Sequence, residues 1–196
     1  MIMKFNQLLF IILAISLTAC GNDPLPKPAA HLRLEYPTAD YKKLEAGFPF
    51  TFEKNELAAQ IKARTISNDS GSYGIDLMYP ALKGTIYLTY KPINNNKERL
   101  LTLLKDAQGF TQEHTVKADE IAEQVYENKE RKVYGMFYEV GGNAASQSQF
   151  YVTDSINHFL TGSLYFYAKP NFDSILPAAK YLQKDIQQIM ETVTWK

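Results

Sequence analysis

The sequence predicts an α+β fold, an antiparallel β-sheet with two main amphipathic helices packed on it. Three observations lead there. Between Arg131 and Ala168 the runs KVYGMFYEV, SQFYVTD and SINHFLTGSLYFYA are rich in Tyr, Phe and Val and separated by turn residues, and the first alternates at period 2, as strands with one better-buried face do. Two other segments, 97–110 and 175–193, repeat apolar residues every three or four positions, as helices laid on a core do. Strands, helix, strands, helix is the order of an α+β domain rather than of alternating β–α units.

The elements follow in order. His31–Tyr36 (HLRLEY) alternates and stops at Pro37, which predicts a first strand. Pro49–Glu53 predicts a short edge strand, with Pro49 at its start where a ladder donor is dispensable. Residues 57–66 fit both helix and strand; the alternation of Ala59, Ile61, Ala63 and Thr65 favours strand. Ser67–Gly74 (SNDSGSYG) is a loop by composition. Ile75–Tyr79 and Thr85–Tyr90 are strands joined through Pro80–Gly84, and Pro92–Asn96 breaks the pattern.

From Lys97 to about Phe110 the period becomes 3.6. Leu100, Leu101, Leu103, Leu104, Ala107 and Phe110 make a broad inward face, with Lys97, Glu98, Lys105 and Asp106 outside. The segment 109–116 continues irregularly, and Ile121–Tyr126 adds a β-type run. The three runs of 131–168 then form a meander at the centre of one sheet. In the first, Val133, Phe137 and Glu139 face one way and Tyr134, Met136, Tyr138 and Val140 the other; Gly141-Gly142-Asn143 supplies the reversal, since these residues tolerate positive φ. The last helix carries Ile175, Ala179, Leu182, Ile186, Ile189 and Val193 on one face. Asp173 and Ser174 are its N-cap candidates, Pro177 sits in its first turn, and Trp195 closes the core beyond it.

Composition narrows the function classes. A chain of 196 residues that is 45% hydrophobic and 13% aromatic buries one sizeable core, so length predicts one domain. Basic and acidic side chains number 21 each, which removes the electrostatic case for nucleic acid or a strongly anionic surface. No internal repeat is present, and composition excludes a disordered chain.

The single cysteine, Cys20, allows no intramolecular disulfide. Lys4 precedes an apolar run, Leu8–Leu17 (LLFIILAISL), of signal-peptide length and short for a bilayer span. The run ends in Leu17-Thr18-Ala19-Cys20-Gly21, which resembles the lipobox of bacterial lipoproteins, whose cysteine is diacylated and becomes residue one of the mature chain. An ordinary signal peptide that happens to contain a cysteine is the plainer alternative. The expected organisation is a signal peptide over 1–19, a lipidated N-terminus and proline-rich tether over 20–30, and one α+β domain over 31–196. The tether, with three prolines in GNDPLPKPAA, would reach roughly 30 Å at ~3 Å per residue. Cleavage would remove one charged residue, Lys4, leaving 20 basic and 21 acidic side chains. Lipid chains on Cys20 would hold the protein at a membrane surface; the covalent lipid is the only prosthetic group expected.

Two clusters hold residue types used in catalysis. One is His114-Thr115-Val116-Lys117-Ala118-Asp119, the other Thr153-Asp154-Ser155-Ile156-Asn157-His158. His114, Asp119, Asp154, Ser155 and His158 are the types from which nucleophile–base–acid sets are built. No Gly-x-Ser-x-Gly elbow accompanies Ser155, and Asp154, Ser155 and Asn157 are also ordinary turn formers. Metal ligation finds no support in spacing: His31, His114 and His158 are far apart, and a folded domain beginning at His31 contains no thiol. No phosphate-cradling glycine loop is present either.

The β-type runs carry Tyr87, Tyr134, Tyr138, Tyr151, Tyr165 and Tyr167. A tyrosine face can recognise a partner, glycan or peptide, but half-buried tyrosines that simply pack sheets are the favoured reading.

Several separated motifs resemble those of the gliding motility lipoprotein GldD family: HTVKAD at 114–119, VYG at 133–135, GNAAS at 142–146, QF at 149–150, TDS at 153–155, HFL at 158–160 and METVTWK at 190–196. With the lipobox, the likeness runs to the last residue and is weakest over 53–72. It implies a lipid-anchored envelope protein, on the outer or inner membrane and facing the periplasm, needed for gliding on surfaces and associated with the type IX secretion apparatus. The implied partners are the membrane, through the lipid, and other gliding and secretion proteins, with no nucleic acid, no small-molecule substrate and no enzymatic activity. Only Cys20 carries over as a functional position. The alternatives are an envelope hydrolase or a glycan- or peptide-binding module. The element order also resembles the Mog1/PsbP-like sandwich, a likeness of architecture that says nothing of activity.

Overall fold

The computed structural model describes residues 35–67, 69–113, 118–142, 144–167 and 172–196. In chain order they form β1 (Tyr41–Leu44), β2 (Phe50–Asn55), β3 (Gln60–Thr65), β4 (Tyr73–Tyr79), β5 (Gly84–Pro92), α1 (Lys97–Glu113), β6 (Ala118–Asn128), β7 (Val133–Gly142), β8 (Ser146–Thr153), β9 (His158–Phe166), α2 (Phe172–Thr192) and β10 (Thr194–Trp195). The fold class is α+β. Seven strands make one antiparallel sheet in the order β3-β4-β5-β9-β8-β7-β6, and three more make a small sheet in the order β1-β2-β10. The described residues pack as one unit.

The meander β7-β8-β9 is present, and β9, hydrogen-bonded to both β5 and β8, is the middle strand of the large sheet. Alternation sorts side chains between two faces. On the first, Ile75, Leu77, Ile86, Leu88, Leu160 and Leu164 are buried beneath α2, which presents Leu182, Ile186 and Ile189. Phe50 and Phe52 of the small sheet complete this core. Gly162 lies directly opposite Phe150, and a side chain there would take the space of the Phe150 ring. On the second face a smaller cluster joins Leu103 of α1 to Tyr138, Tyr151 and Phe159. The two helices therefore cover opposite faces of one sheet, which is why β8, between them, is buried along its whole length.

Several expectations need correction. Of HLRLEY, residues 31–34 lie outside the described region, and Glu35–Tyr36 form no strand. The first strand is Tyr41–Leu44, whose four residues pair with β2; a strand this short is made by its partner rather than by its own pattern. The strand at Phe50–Asn55 is no edge. It is the centre of the small sheet, because Thr194–Trp195 returns from the C-terminus to pair with Thr51 and Phe50. Leu101 does not face the core; it is 66% exposed, because the sheet meets a narrower arc of α1 than the leucines occupy. The last helix begins at Phe172, so Asp173 and Ser174 lie inside it and Pro177 falls in its second turn. Of residues 57–66, Gln60–Thr65 form strand β3, an edge of the large sheet, while 57–59 and 66 lie outside it. At the β7–β8 reversal Gly142 has φ +83°, a backbone conformation that glycine adopts without steric cost.

Candidate functional site

The turn between β8 and β9, with the first residue of β9, holds three of the residues singled out from sequence. Asp154 Oδ1 accepts hydrogen bonds from the backbone N–H groups of Ile156 at 2.9 Å, Asn157 at 2.8 Å and His158 at 2.8 Å. Thr153 Oγ1 donates to the His158 carbonyl at 2.7 Å and accepts from the Ser155 N–H at 2.8 Å. Ser155 itself is exposed, at φ +67°. Such local side-chain-to-backbone bonds are what make Asp, Ser and Thr turn formers. The turn also docks the segment between β5 and α1: Ile93 and Asn95 donate to the carbonyls of Asn157 and Ile156 at 2.8 and 2.7 Å.

His158 points the other way. Its Nδ1 lies 2.8 Å from the Tyr90 hydroxyl, and its ring stacks on Trp195 at 5.0 Å and 6°. Burial pulls its pKa below 6.5, opposed by the charge of Asp154. Among the described residues no hydrogen bond joins Ser155 to His158. Asp119 enters β6 near the end where Gly141 and Gly142 pair, whereas Thr153 pairs with Tyr134 at the other end of β7. Seven residues of strand, ~23 Å, separate the backbone positions. His114 and Cys20 lie outside the described residues. The two polar clusters are thus not brought together at Asp119 and Asp154. Among the described residues no three His, Cys, Asp or Glu side chains group as a metal would require.

A second polar centre escaped the sequence reading. Asp185 of α2, 1% exposed, accepts from Tyr41 Oη at 2.7 Å and from Asn55 Nδ2 at 3.1 and 2.9 Å. Burial pushes its pKa above 3.8 against these hydrogen bonds. Tyr181 Oη accepts from Asn55 Nδ2 at 3.2 Å and donates to the Pro37 carbonyl at 2.9 Å. The network pins β1, β2 and the chain before them to α2. The signal for it was a lone acid three residues after Leu182 and one before Ile186, a position that must face inward.

A cleft of about 310 Å³ lies between α1 and the second face of the large sheet. Its floor is a grid set by strand register. One row across the strands reads Tyr87, Ser163, Gln149, Tyr138, and the next reads Thr89, Thr161, Tyr151. Leu103 and Ala107 of α1 form a wall, with Lys91 and Asp106 also at the lining. The cleft exists because α1 covers Phe159 and Tyr151 and leaves the hydroxyl-bearing part of the sheet open. Tyr87 and Tyr165 meet edge to face at 5.8 Å and 72°; the Tyr87 hydroxyl lies 2.5 Å from that of Tyr167, and the Arg64 guanidinium sits 5.9 Å from the Tyr87 ring centre while bound to Asp76 at 2.8 Å. Burial raises the Tyr87 and Tyr138 pKa values to about 12, so both stay neutral. Of the tyrosines noted in sequence, Tyr87, Tyr138, Tyr151 and Tyr165 line this cleft and Tyr134 and Tyr167 do not. The hydroxyls of Thr89, Thr161 and Ser163 were not singled out from sequence; the signal for them is their place at every second position of β5 and β9.

The described residues form an antiparallel sheet with a helix on each face, a polar turn closed by its own side chains and a cleft on the second face. The family model for gliding motility lipoprotein GldD matches residues 21–195, and the chain belongs to that family. No curated protein matches the sequence. Membership makes the protein a lipoprotein component of gliding motility with a lipid-anchored place in the cell envelope. Among the described residues no helix is long and apolar enough to cross a membrane.

Proposed function

We propose that the protein is a non-catalytic part of the gliding machinery, tethered by acyl chains on Cys20 and serving type IX secretion from the periplasmic face of its membrane. The observation that carries the non-catalytic reading is the Asp154 carboxylate, whose Oδ1 is engaged by three backbone amides of its own turn. A group so occupied shapes a loop; it is poorly placed to move a proton. The family match supports the machinery role, and the Leu-Thr-Ala-Cys motif supports the anchor. On this reading residues 1–19 are removed, 20–30 span from membrane to domain, the lipid is the only covalent group, and the partners are other gliding and secretion proteins rather than a small-molecule substrate.

Fractionation tests the anchor. Wild-type protein is expected in the membrane pellet and Cys20→Ala in the soluble envelope fraction, with adhesin export reduced in the latter. Membrane retention of Cys20→Ala through a high-salt wash, with export intact, would overturn the lipid-tether account.

A further inference from the structure

The cleft on the second face of the sheet is not used by the anchoring and machinery reading, and its chemistry selects a ligand independently of that reading. We propose that it binds a sugar unit of a neutral glycan, seated on the hydroxyl floor of Thr89, Thr161 and Ser163 against the aromatic walls of Tyr87, Tyr151 and Tyr165.

Size comes first. About 310 Å³ is at the small end of ligand sites; it takes a sugar unit and not a helix or a folded partner. Backbone recognition is closed off, because β5, β9 and β8 are paired on both sides through the floor. A peptide that adds itself as a strand needs a free edge, and this cleft lies at the middle of the sheet. Whatever binds is read by side chains.

Those side chains favour a polyhydroxylated, uncharged molecule. The Thr and Ser hydroxyls both donate and accept, at the two-residue spacing that one strand face imposes. An apolar ligand would cover these groups without pairing them, at a cost in affinity. An anionic ligand finds one cation in the lining, Lys91, with the acid Asp106 beside it in the same lining, and the nearby Arg64 is held by both oxygens of Asp76 at 2.8 and 2.9 Å. Recognition of phosphate or carboxylate calls for more positive charge than that. Tyrosine rings, by contrast, offer apolar faces to the C–H side of a sugar ring while their hydroxyls remain neutral hydrogen-bonding groups. The face opposite, on the same strands, is mainly Ile, Leu, Val and Phe packed against α2, with Tyr90 the hydroxyl-bearing exception, so the run of Thr and Ser hydroxyls in the cleft belongs to its own face.

The test uses the full chain purified in a detergent without a sugar headgroup, applied to an array of neutral and acidic glycans, with hits confirmed by saturation-transfer NMR. The proposal expects retention of neutral glycans over acidic ones. Thr161→Val and Ser163→Ala, which remove hydroxyls with little change of shape, are expected to lower affinity for the best hit about tenfold, with the thermal midpoint within a few degrees of wild type. Three results would overturn it: no neutral glycan bound, acidic glycans preferred, or a neutral hit whose affinity is unchanged in both folded variants. Should the variants fail to fold, the wild-type array decides the matter alone.

Discussion

Asp154 makes the distinction between a structural and a chemical carboxylate measurable. Its Oδ1 collects three backbone donors, and an asparagine carbonyl oxygen supplies the same acceptor without the acid. Asp154→Asn is therefore expected to keep the stability of the wild type, and Asp154→Ala to lose about 1–3 kcal/mol, read as a shift in urea midpoint. Ser155 at φ +67° strains a non-glycine backbone by roughly 1 kcal/mol. Ser155→Gly is expected to hold or raise stability and to leave function intact, where replacing a nucleophile would abolish it. Asp185 gives a prediction of opposite sense. Its pKa is raised above 3.8, chiefly by burial, so the protonated form suits the folded state. The stability it contributes is full below the ordinary carboxylate value and is lost as pH rises through the raised one. Asp185→Asn is expected to gain on wild type as pH rises above the ordinary carboxylate value of about 4; a midpoint difference independent of pH would refute the assignment.

Whether an element was legible depended on whether its pattern was its own. The long strands β4, β5, β7 and β9 alternate over enough residues to declare themselves, and α2 repeats its apolar face over five turns. The short strands β1 and β10 have four and two residues and exist because β2 lies between them; nothing local distinguishes YKKL or TW. α1 shows the intermediate case. Its leucines were seen, but which of them touch the sheet depends on how the helix is rolled, and that is set by Ile93, Tyr151 and Phe159 beneath it. Leu103, 6% exposed, and Leu101, 66% exposed, make this testable: Leu103→Ala is expected to cost 2–5 kcal/mol or about that, whereas Leu101→Ser stays within ~0.5 kcal/mol of wild type. Equal losses at the two positions would mean that the helix sits in a different rotation.

At the scale of the molecule, the two faces of the large sheet divide the labour. One is filled by α2 and the small sheet and holds the fold together; the other is half covered by α1 and retains the cleft. The tyrosines were read from sequence; the alternating hydroxyls were missed, and the cavity could not be read, since it depends on where α1 ends its cover rather than on any residue type. The clustering of Asp154, Ser155 and His158 was readable as well, and both readings of it, turn and catalytic set, fitted the letters. Geometry separates them: His158 stacks on Trp195 and meets Tyr90, while Asp154 and Ser155 close the turn. A buried network at Asp185 lies between β2 and α2 and ties α2 to β1 and β2.

The account's central claim is that a lipid-anchored domain acts in gliding without chemistry at the Thr153–His158 turn. The measurement that bears on it most directly is surface spreading of a deletion strain complemented with wild type, with Cys20→Ala, or with the triple variant Asp154→Asn/Ser155→Gly/His158→Gln. The account predicts spreading restored by the wild type and by the triple variant, and not by Cys20→Ala. A triple variant that is folded and membrane-bound yet fails to spread would contradict it and make the turn a site of chemistry.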